Sequence, residues 1–527
     1  MKKIKNHIIH PINVFILFTV MLYGGCTNLD ENPIGLLAPE SFFKTEADVE
    51  MAVLGAYKYF TTEALWGRRY TTALALLDDI HDIGDIGTSV ERIQVNNHKI
   101  DGANGMIGTF WPVFYQAASA ANAAENAASL ITVKNQQKIN ELTAEARMIR
   151  AFCYYHLVRL FGDIPYIGEF ASDPWAISTV SKTPASEIYQ HIIDDCKFGE
   201  ANLPATYPDN IRCRPTKGAA KTMLASIYLT LGDYASAAQY AEEVINSRAS
   251  YGYDLMENYT DIWRSNPDGD VKEFIWSIDF YGGIDDDLWG CMTAPRNTTF
   301  FGRDGMEGLG GWSVVVPSTG YYGMFDPGDH RIESTFITEA LIKFSDGSTE
   351  FLPYNEWPQW PRIHFGKYQW AGPRSDAEGR YSGRNYAFFR LAEVYLIAAE
   401  ALAEVNNSPT PKALEYLNVI RTRARFGGTA PADYQSGMSK QAFIDAVLKE
   451  RMLEFGGEFN RWWDIARRDL GAEAFGPNGI ELPMMLNGVP QRETANPTWG
   501  PSKKYLLPIP QSEINKNSNL TQTPGYN

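Results

Sequence analysis

Cysteine, histidine and cationic side chains are scarce in this sequence, and each shortage removes a class of function. Five Cys and eight His among 527 residues form no CxxC pair and no Cys–His spacing of the zinc-finger kind. Lys and Arg number 47 against 63 Asp and Glu, a net charge of −16. A body of that sign repels polyphosphate, which argues against nucleic acid as a partner. Beyond the first 25 residues no run approaches the roughly 18 uninterrupted apolar residues of a membrane-spanning helix. Gly-x-Ser-x-Gly, His-Glu-x-x-His, the P-loop and Gly-x-Gly-x-x-Gly are all missing. A hydrolase would therefore have to rely on an unmarked pair among the many carboxylates. Disorder is excluded as well, because 44% hydrophobic and 21% charged residues are ordinary values for a folded chain. The length exceeds what one ordinary core organises.

The N-terminus reads as an address. Lys2, Lys3 and Lys5 precede a short apolar run, Val14 to Tyr23, which ends at Gly24-Gly25-Cys26. Such a run is too short to span a bilayer and suits a signal peptide. Small residues directly before Cys26 look like a lipoprotein cleavage site, with Cys26 as the lipidated residue. Tyr23 stands where a Leu is usual, so an ordinary secretory leader with an incidental Cys is the alternative. Several acyl chains would hold the mature body to a membrane, at about 0.8 kcal/mol per buried methylene. Of the remaining thiols, Cys153 lies in an apolar helical run and reads as packed. A Cys196–Cys213 disulfide is chemically open in an exported protein.

Helical periodicity is strong over Ser41–Tyr59, Phe110–Leu130 and Thr143–Phe161, the last closed by Gly162 and Pro165. Pro215–Ser247 reads as a helical hairpin. Its Leu224, Ala225, Tyr228, Gly232, Tyr234, Ala237 and Ala241 fall close to the tetratricopeptide pattern, in which Ala lets helices approach and Tyr fills the groove. Phe388–Ala424 reads as a second pair, broken at Asn406–Pro411. Between them, Tyr251 to Gln369 is rich in Gly, Pro, Asp and Trp and has no sustained period. Aromatics occupy 24 of the 120 positions from Tyr251 to Trp370, seven of them Trp. Phe274–Ile278 and Ser313–Val316 are its candidate strands. The expected fold is mainly α: a tetratricopeptide-like hairpin scaffold carrying one long irregular insertion with short strands. The expected division is a leader over 1–25, a helical region over 26–250, an aromatic loop-rich insertion over 251–370 and a C-terminal region over 371–527 on the same scaffold.

Six segments, in order, carry a family resemblance. They are Glu145-Ala-Arg-Met-Ile-Arg-Ala-Phe through Pro165, Arg214-Pro-Thr-Lys-Gly-Ala-Ala220, Phe389-Arg-Leu-Ala-Glu through Glu400, Leu417 to Ala424, Glu450 to Arg467, and Tyr505 through Tyr526. The chain resembles the SusD/RagB family from Cys26 to Asn527. That resemblance implies an outer-membrane lipoprotein, surface-exposed and held by its lipid. Its partner would be a SusC-like TonB-dependent transporter, for which it captures oligosaccharide without turning it over. A peptide-binding lid of the RagB kind and a glycoside hydrolase are the competing readings. Arg147, Arg150, Glu393, Glu400, Arg451 and Glu454 lie at helical spacing beside apolar faces and read as ion pairs that fix helix packing.

A sugar presents flat C–H faces and a rim of hydroxyls, so its site needs aromatic rings edged by amides, carboxylates or Arg. The insertion supplies Tyr281, Trp289, Trp312 and Arg303. A polar loop after the first helix, Asp78 to His98, supplies Asp79 and Asn97. In the family the ligand pocket resembles a meeting of these two regions. Trp357, Trp360 and Trp370 read as packing. No cofactor is expected. Asp285-Asp286-Asp287 and Asn266 to Asp270 are acid loops that resemble Ca²⁺ loops only loosely, neither matching the twelve-residue pattern.

Overall fold

The computed structural model describes residues 43–526 except 85–86, 133–134, 265–270, 282–284, 286, 297–299, 302–306, 309–310, 345, 358–360, 369–383, 477–478, 481–484, 487–488 and 491–504. The leader and Cys26 therefore lie outside the described residues, as do Arg303, Trp360 and Trp370.

The scaffold is a series of helices, most of them packed on a neighbour in sequence. They are α1 Glu46–Tyr57, α2 Arg69–Leu77, α3 Gly105–Leu130, α4 Gln136–Phe161, α5 Ala185–Asn202, α6 Lys217–Leu231 and α7 Tyr234–Ser247, followed after the insertion by α8 Leu391–Val405, α9 Pro411–Arg425, α10 Lys440–Glu454 and α11 Arg461–Arg467. Local chemistry sets the ends. Thr45 and Asp48 form a reciprocal cap at the start of α1, with Asp48 N donating to Thr45 Oγ1 at 3.3 Å and Thr45 N to Asp48 Oδ2 at 2.8 Å. Asn135 caps α4 about two turns earlier than periodicity alone indicates. Gly232, at φ 76°, turns α6 into α7. Tyr228 and Tyr240 stack across that hairpin at 5.8 Å, as the tetratricopeptide reading requires.

Helix α7 packs on α8 although the whole insertion separates them in sequence. The array thus runs unbroken through α1, α3, α4, α5, α6, α7, α8 and α9, and the insertion is an excursion from it. Strand β2 (Phe274–Ile278) pairs antiparallel with β6 (Tyr386–Arg390), so the excursion's two ends lie side by side. Between them are β3 (Val315–Pro317) and the hairpin β4 (Glu339–Lys343) with β5 (Thr349–Pro353). A further strand, β1 (His81–Ile83), follows α2.

The excursion is far more buried than a loop-rich binding region was expected to be. Trp276 and Trp289 are fully buried, Trp263 and Trp357 nearly so, and one continuous apolar core runs from Val49 to Ile509 through scaffold and excursion alike. Rings this large contribute most when removed from water, so a high density of them marks core as readily as a platform. Only Tyr281, Phe351 and Tyr322 are exposed large rings of the excursion among the described residues.

The excursion is also locked to α9 and α10 by a buried ionic lattice. Glu454 accepts from Arg390, Arg331 and Arg423. Glu273 accepts from Arg390 at 2.7 Å and Arg423 at 2.8 Å. Arg331 also meets Glu450 at 2.6 Å and Asp329 at 2.7 Å. Lys367 donates to Glu458 at 2.6 Å and lies over the Tyr259 and Trp263 rings. Burial pulls its ammonium down to about 8, even though Glu458 pushes the other way. The remaining family-hallmark charges are paired in the same way: Arg150 with Asp195 and Glu125, Arg147 with Glu125, Arg451 with Asp464, and Glu400 with Arg467 and Arg468.

Candidate ligand-binding face

The chain leaves α2 at Asp78, whose carboxylate accepts from Ile80 N and His81 N, each at 3.0 Å, and from His81 Nδ1 at 2.9 Å. Burial raises the Asp78 carboxyl above its usual range, and His81 opposes that shift. The turn aims the chain into β1, which pairs antiparallel with β3: His81 opposite Pro317, Asp82 opposite Val316 and Ile83 opposite Val315. The early polar loop and the central excursion therefore meet in one backbone ladder. Gly84 extends it, donating to Val314 O at 3.0 Å. A Cβ on Gly84 would sit 2.2 Å from Ser313 O, so the approach requires glycine. Arg362 clamps the ladder by donating to Ile83 O at 3.1 Å and to Asp82 at 3.3 Å, while Asn96 donates to Asp82 at 3.1 Å.

Trp312 stands at the entrance to β3. It is half-buried, and its N–H donates to Cys291 O at 2.7 Å. Its neighbour Ser313 takes the left-handed region at φ 48°. Ser313 Oγ meets His364 Nε2 at 2.9 Å, and both residues are fully buried. Burial lowers the His364 imidazole to about 3, keeping it neutral. Tyr281 is the opposite case: 70% exposed, on a turn closed by its N–H to Asp285 Oδ2 at 2.7 Å. Asp285 in turn accepts from Thr61 Oγ1 at 3.0 Å and from Lys58, pinning that turn to the end of α1.

The sequence-predicted residues separate accordingly. Tyr281 is a presented ring and Trp312 a half-presented one. Trp289 is not a platform: it is wholly buried, against Phe459 at 4.7 Å and His81 at 6.5 Å. Asp79 is not free for a hydroxyl, because it is buried in a two-bond pair with Arg461, both at 2.8 Å. Asn97 closes the short helix Val90–Asn96, donating its N–H to Ile93 O at 2.9 Å, and is half-buried. Arg303 lies outside the described residues.

Among the described residues no group of three or more His, Cys, Asp or Glu is placed to hold a metal. Asp285 is bound as above and Asp287 accepts from Tyr386 OH at 2.6 Å, while Asp286 and 265–270 are not described. All four described Cys are free thiols, so Cys196 and Cys213 are not bonded. Sequence reasoning missed Arg362 and His364, which carry no periodic or motif signal and gain their roles only through the ladder.

Residues 317–526 match the family model described as the SusD family, and residues 38–229 match one described as starch-binding associating with outer membrane. The chain is 40% identical to SusD-like protein P2 of Formosa agariphila over 521 residues, 97% of this chain and 99% of that one. The chain belongs to the SusD family. Within it, the starch-binding protein SusD of Bacteroides thetaiotaomicron is 26% identical over 433 residues, 73% of this chain and 72% of that protein. A solved laminarin-binding SusD-like protein superposes with a TM-score of 0.74 at 24% identity, covering 92% of this chain and all of the other, and shares the SusD fold.

Proposed function

We propose that this SusD-family chain captures oligosaccharide outside the cell and delivers it to a SusC-like TonB-dependent transporter, tethered to the outer membrane through lipid on Cys26. Membership of the family over nearly the whole chain, with a starch-binding and a laminarin-binding protein among its kin, carries this reading. Two rings support it further: Tyr281, exposed on a fixed turn, and half-buried Trp312 beside the ladder that joins two distant segments. A ring held in place loses little freedom on binding, which favours sugar stacking. Arg303 remains part of the proposed rim on sequence grounds. Among the described residues no helix is long and apolar enough to cross a membrane.

Calorimetry of the chain with malto-oligosaccharides and laminari-oligosaccharides tests the reading. At least one series binds, and Tyr281→Ala with Trp312→Ala weakens it about tenfold or more, equivalent to roughly 1.4 kcal/mol. Chromatography then recovers the sugar at its original length. Shortened products, or no binding by any oligosaccharide, overturn the proposal. Transporter delivery is tested by co-purification of a TonB-dependent barrel with the tagged chain from its own membranes.

A further inference from the structure

A cleft of about 700 Å³ opens where α4 ends, apart from the β1–β3 face. Arg159, in the last turn of α4, is held flat between two rings, its Cζ 3.7 Å from the Tyr155 centroid and 3.8 Å from that of Trp463. Nε donates to Tyr155 O at 3.0 Å and Nη2 to His156 Nδ1 at 3.3 Å. No carboxylate pairs with it among the described residues, and Nη1 has no protein acceptor. This sets Arg159 apart from Arg331 and Arg390, each of which is answered by several carboxylates.

Lys182 lines the same cleft and donates only to Thr521 O at 3.3 Å. Burial lowers its ammonium from the usual value, with Asp163 opposing the shift. Asp163 is itself engaged at the start of α5, accepting from Ala185 N at 2.8 Å. The charge of Arg467, also in the lining, is answered by Glu400 and Asp464. Two cations that hydrogen-bond no carboxylate among the described residues therefore line a roomy cleft, with Glu393 in electrostatic reach of Arg159 and Asp163 of Lys182. A half-buried guanidinium stacked between rings and short of an acceptor is preorganised for a planar anion. Phe161, Leu506 and Pro524 give the cleft an apolar wall.

We propose that this cleft is a second saccharide site, selective for a sugar that carries a carboxylate or a sulfate, with Arg159 Nη1 and Lys182 Nζ receiving the anionic group. The inference rests on the glycan-capture reading above and names a substrate class for it. The Tyr189 hydroxyl, which makes no hydrogen bond to the protein among the described residues, and the apolar wall are placed for the uncharged part of the sugar.

The test is calorimetry of the full chain, kept in detergent, with four probes: tetragalacturonate, sulfated neocarratetraose, its unsulfated counterpart neoagarotetraose, and maltotetraose. At least one acidic probe binds, and its affinity falls by about tenfold in Lys182→Gln and in Arg159→Gln. The same affinity weakens as NaCl is raised to ~0.5 M, since an anion–cation contact is screened. Which acidic probe binds tells carboxylate from sulfate. Lys182→Gln alters a half-exposed side chain and keeps the test valid should Arg159→Gln unfold. Acidic probes that fail to bind below ~5 mM, or that bind Lys182→Gln as well as the wild type, overturn the proposal. So does binding that is lost in Tyr281→Ala but kept in both cleft variants, or an acidic peptide, polyglutamate, binding tighter than either acidic sugar. If neutral probes bind and acidic ones do not, glycan capture stands and the cleft alone is refuted; if none binds, both fall.

Discussion

The lattice around Glu454 and the rim around Tyr281 are two ways of using polar groups. In the lattice, three Arg and a Lys are matched by Glu and Asp and closed off from solvent, with Arg423 Nε the one lattice nitrogen left without a hydrogen bond among the described residues. At the rim, the polar groups are used to hold a backbone turn, and the ring itself is left facing outward. The difference teaches that the groups which hold the excursion in place and the ring proposed for recognition are different residues, even within one excursion. Variants should then separate the two properties.

The largest effect is expected in the lattice. Glu454→Ala strands Arg331, Arg390 and Arg423 and lowers unfolding free energy by about 3–5 kcal/mol, measured as a drop in urea midpoint. Trp289→Ala is next, at about 3 kcal/mol or somewhat more, since it empties a sealed site. A Trp289→Ala protein that keeps its stability and loses only sugar affinity would erase the contrast. The pH dependence of stability sharpens it further. Burial pushes the Asp464 carboxyl up, but Arg451 and Arg467 more than offset this and hold it at about 2. A depressed carboxylate stabilises above its unfolded value of 3.8 and loses that contribution as pH falls towards 2. About 2 kcal/mol should disappear over that window, and Asp464→Asn, already weakened at neutral pH, should show a flatter profile. Thr45→Ala removes the α1 cap for about 1 kcal/mol. Tyr281→Ala should change stability by no more than about 0.5 kcal/mol while weakening sugar binding; a large destabilisation there would break the comparison outright.

The scaffold was legible because helices declare themselves through spacing. Glu145 to Pro165, the Leu224–Ala241 hairpin and the hallmark ion pairs all stand where periodicity places them, with ends shifted only where caps such as Asn135 act. The excursion was legible in outline only. Phe274–Ile278 forms the strand expected, and β3 overlaps the predicted Ser313–Val316 strand. The fate of each ring, however, depended on long-range packing that composition does not encode. Trp289 and Tyr281 share Gly- and Asp-rich surroundings, yet the first meets Phe459 from the C-terminal region and the second meets nothing that buries it. Asp79 was misassigned for the same reason, since its partner Arg461 lies hundreds of residues away. That Arg159 hydrogen-bonds no carboxylate appears only in three dimensions.

The β2–β6 pair has an evolutionary corollary. Tyr386 lies opposite Ile278 and Arg390 opposite Phe274, so the chain departs and returns through one hydrogen-bonded doorway. Lengthening what hangs beyond it adds only about 0.6 kcal/mol of closure entropy per doubling. Provided Asp329, Arg331 and Lys367 keep their partners, and Trp276 and Trp289 their places in the shared core, the exposed turns of the excursion can lengthen while the helical chassis stays as it is.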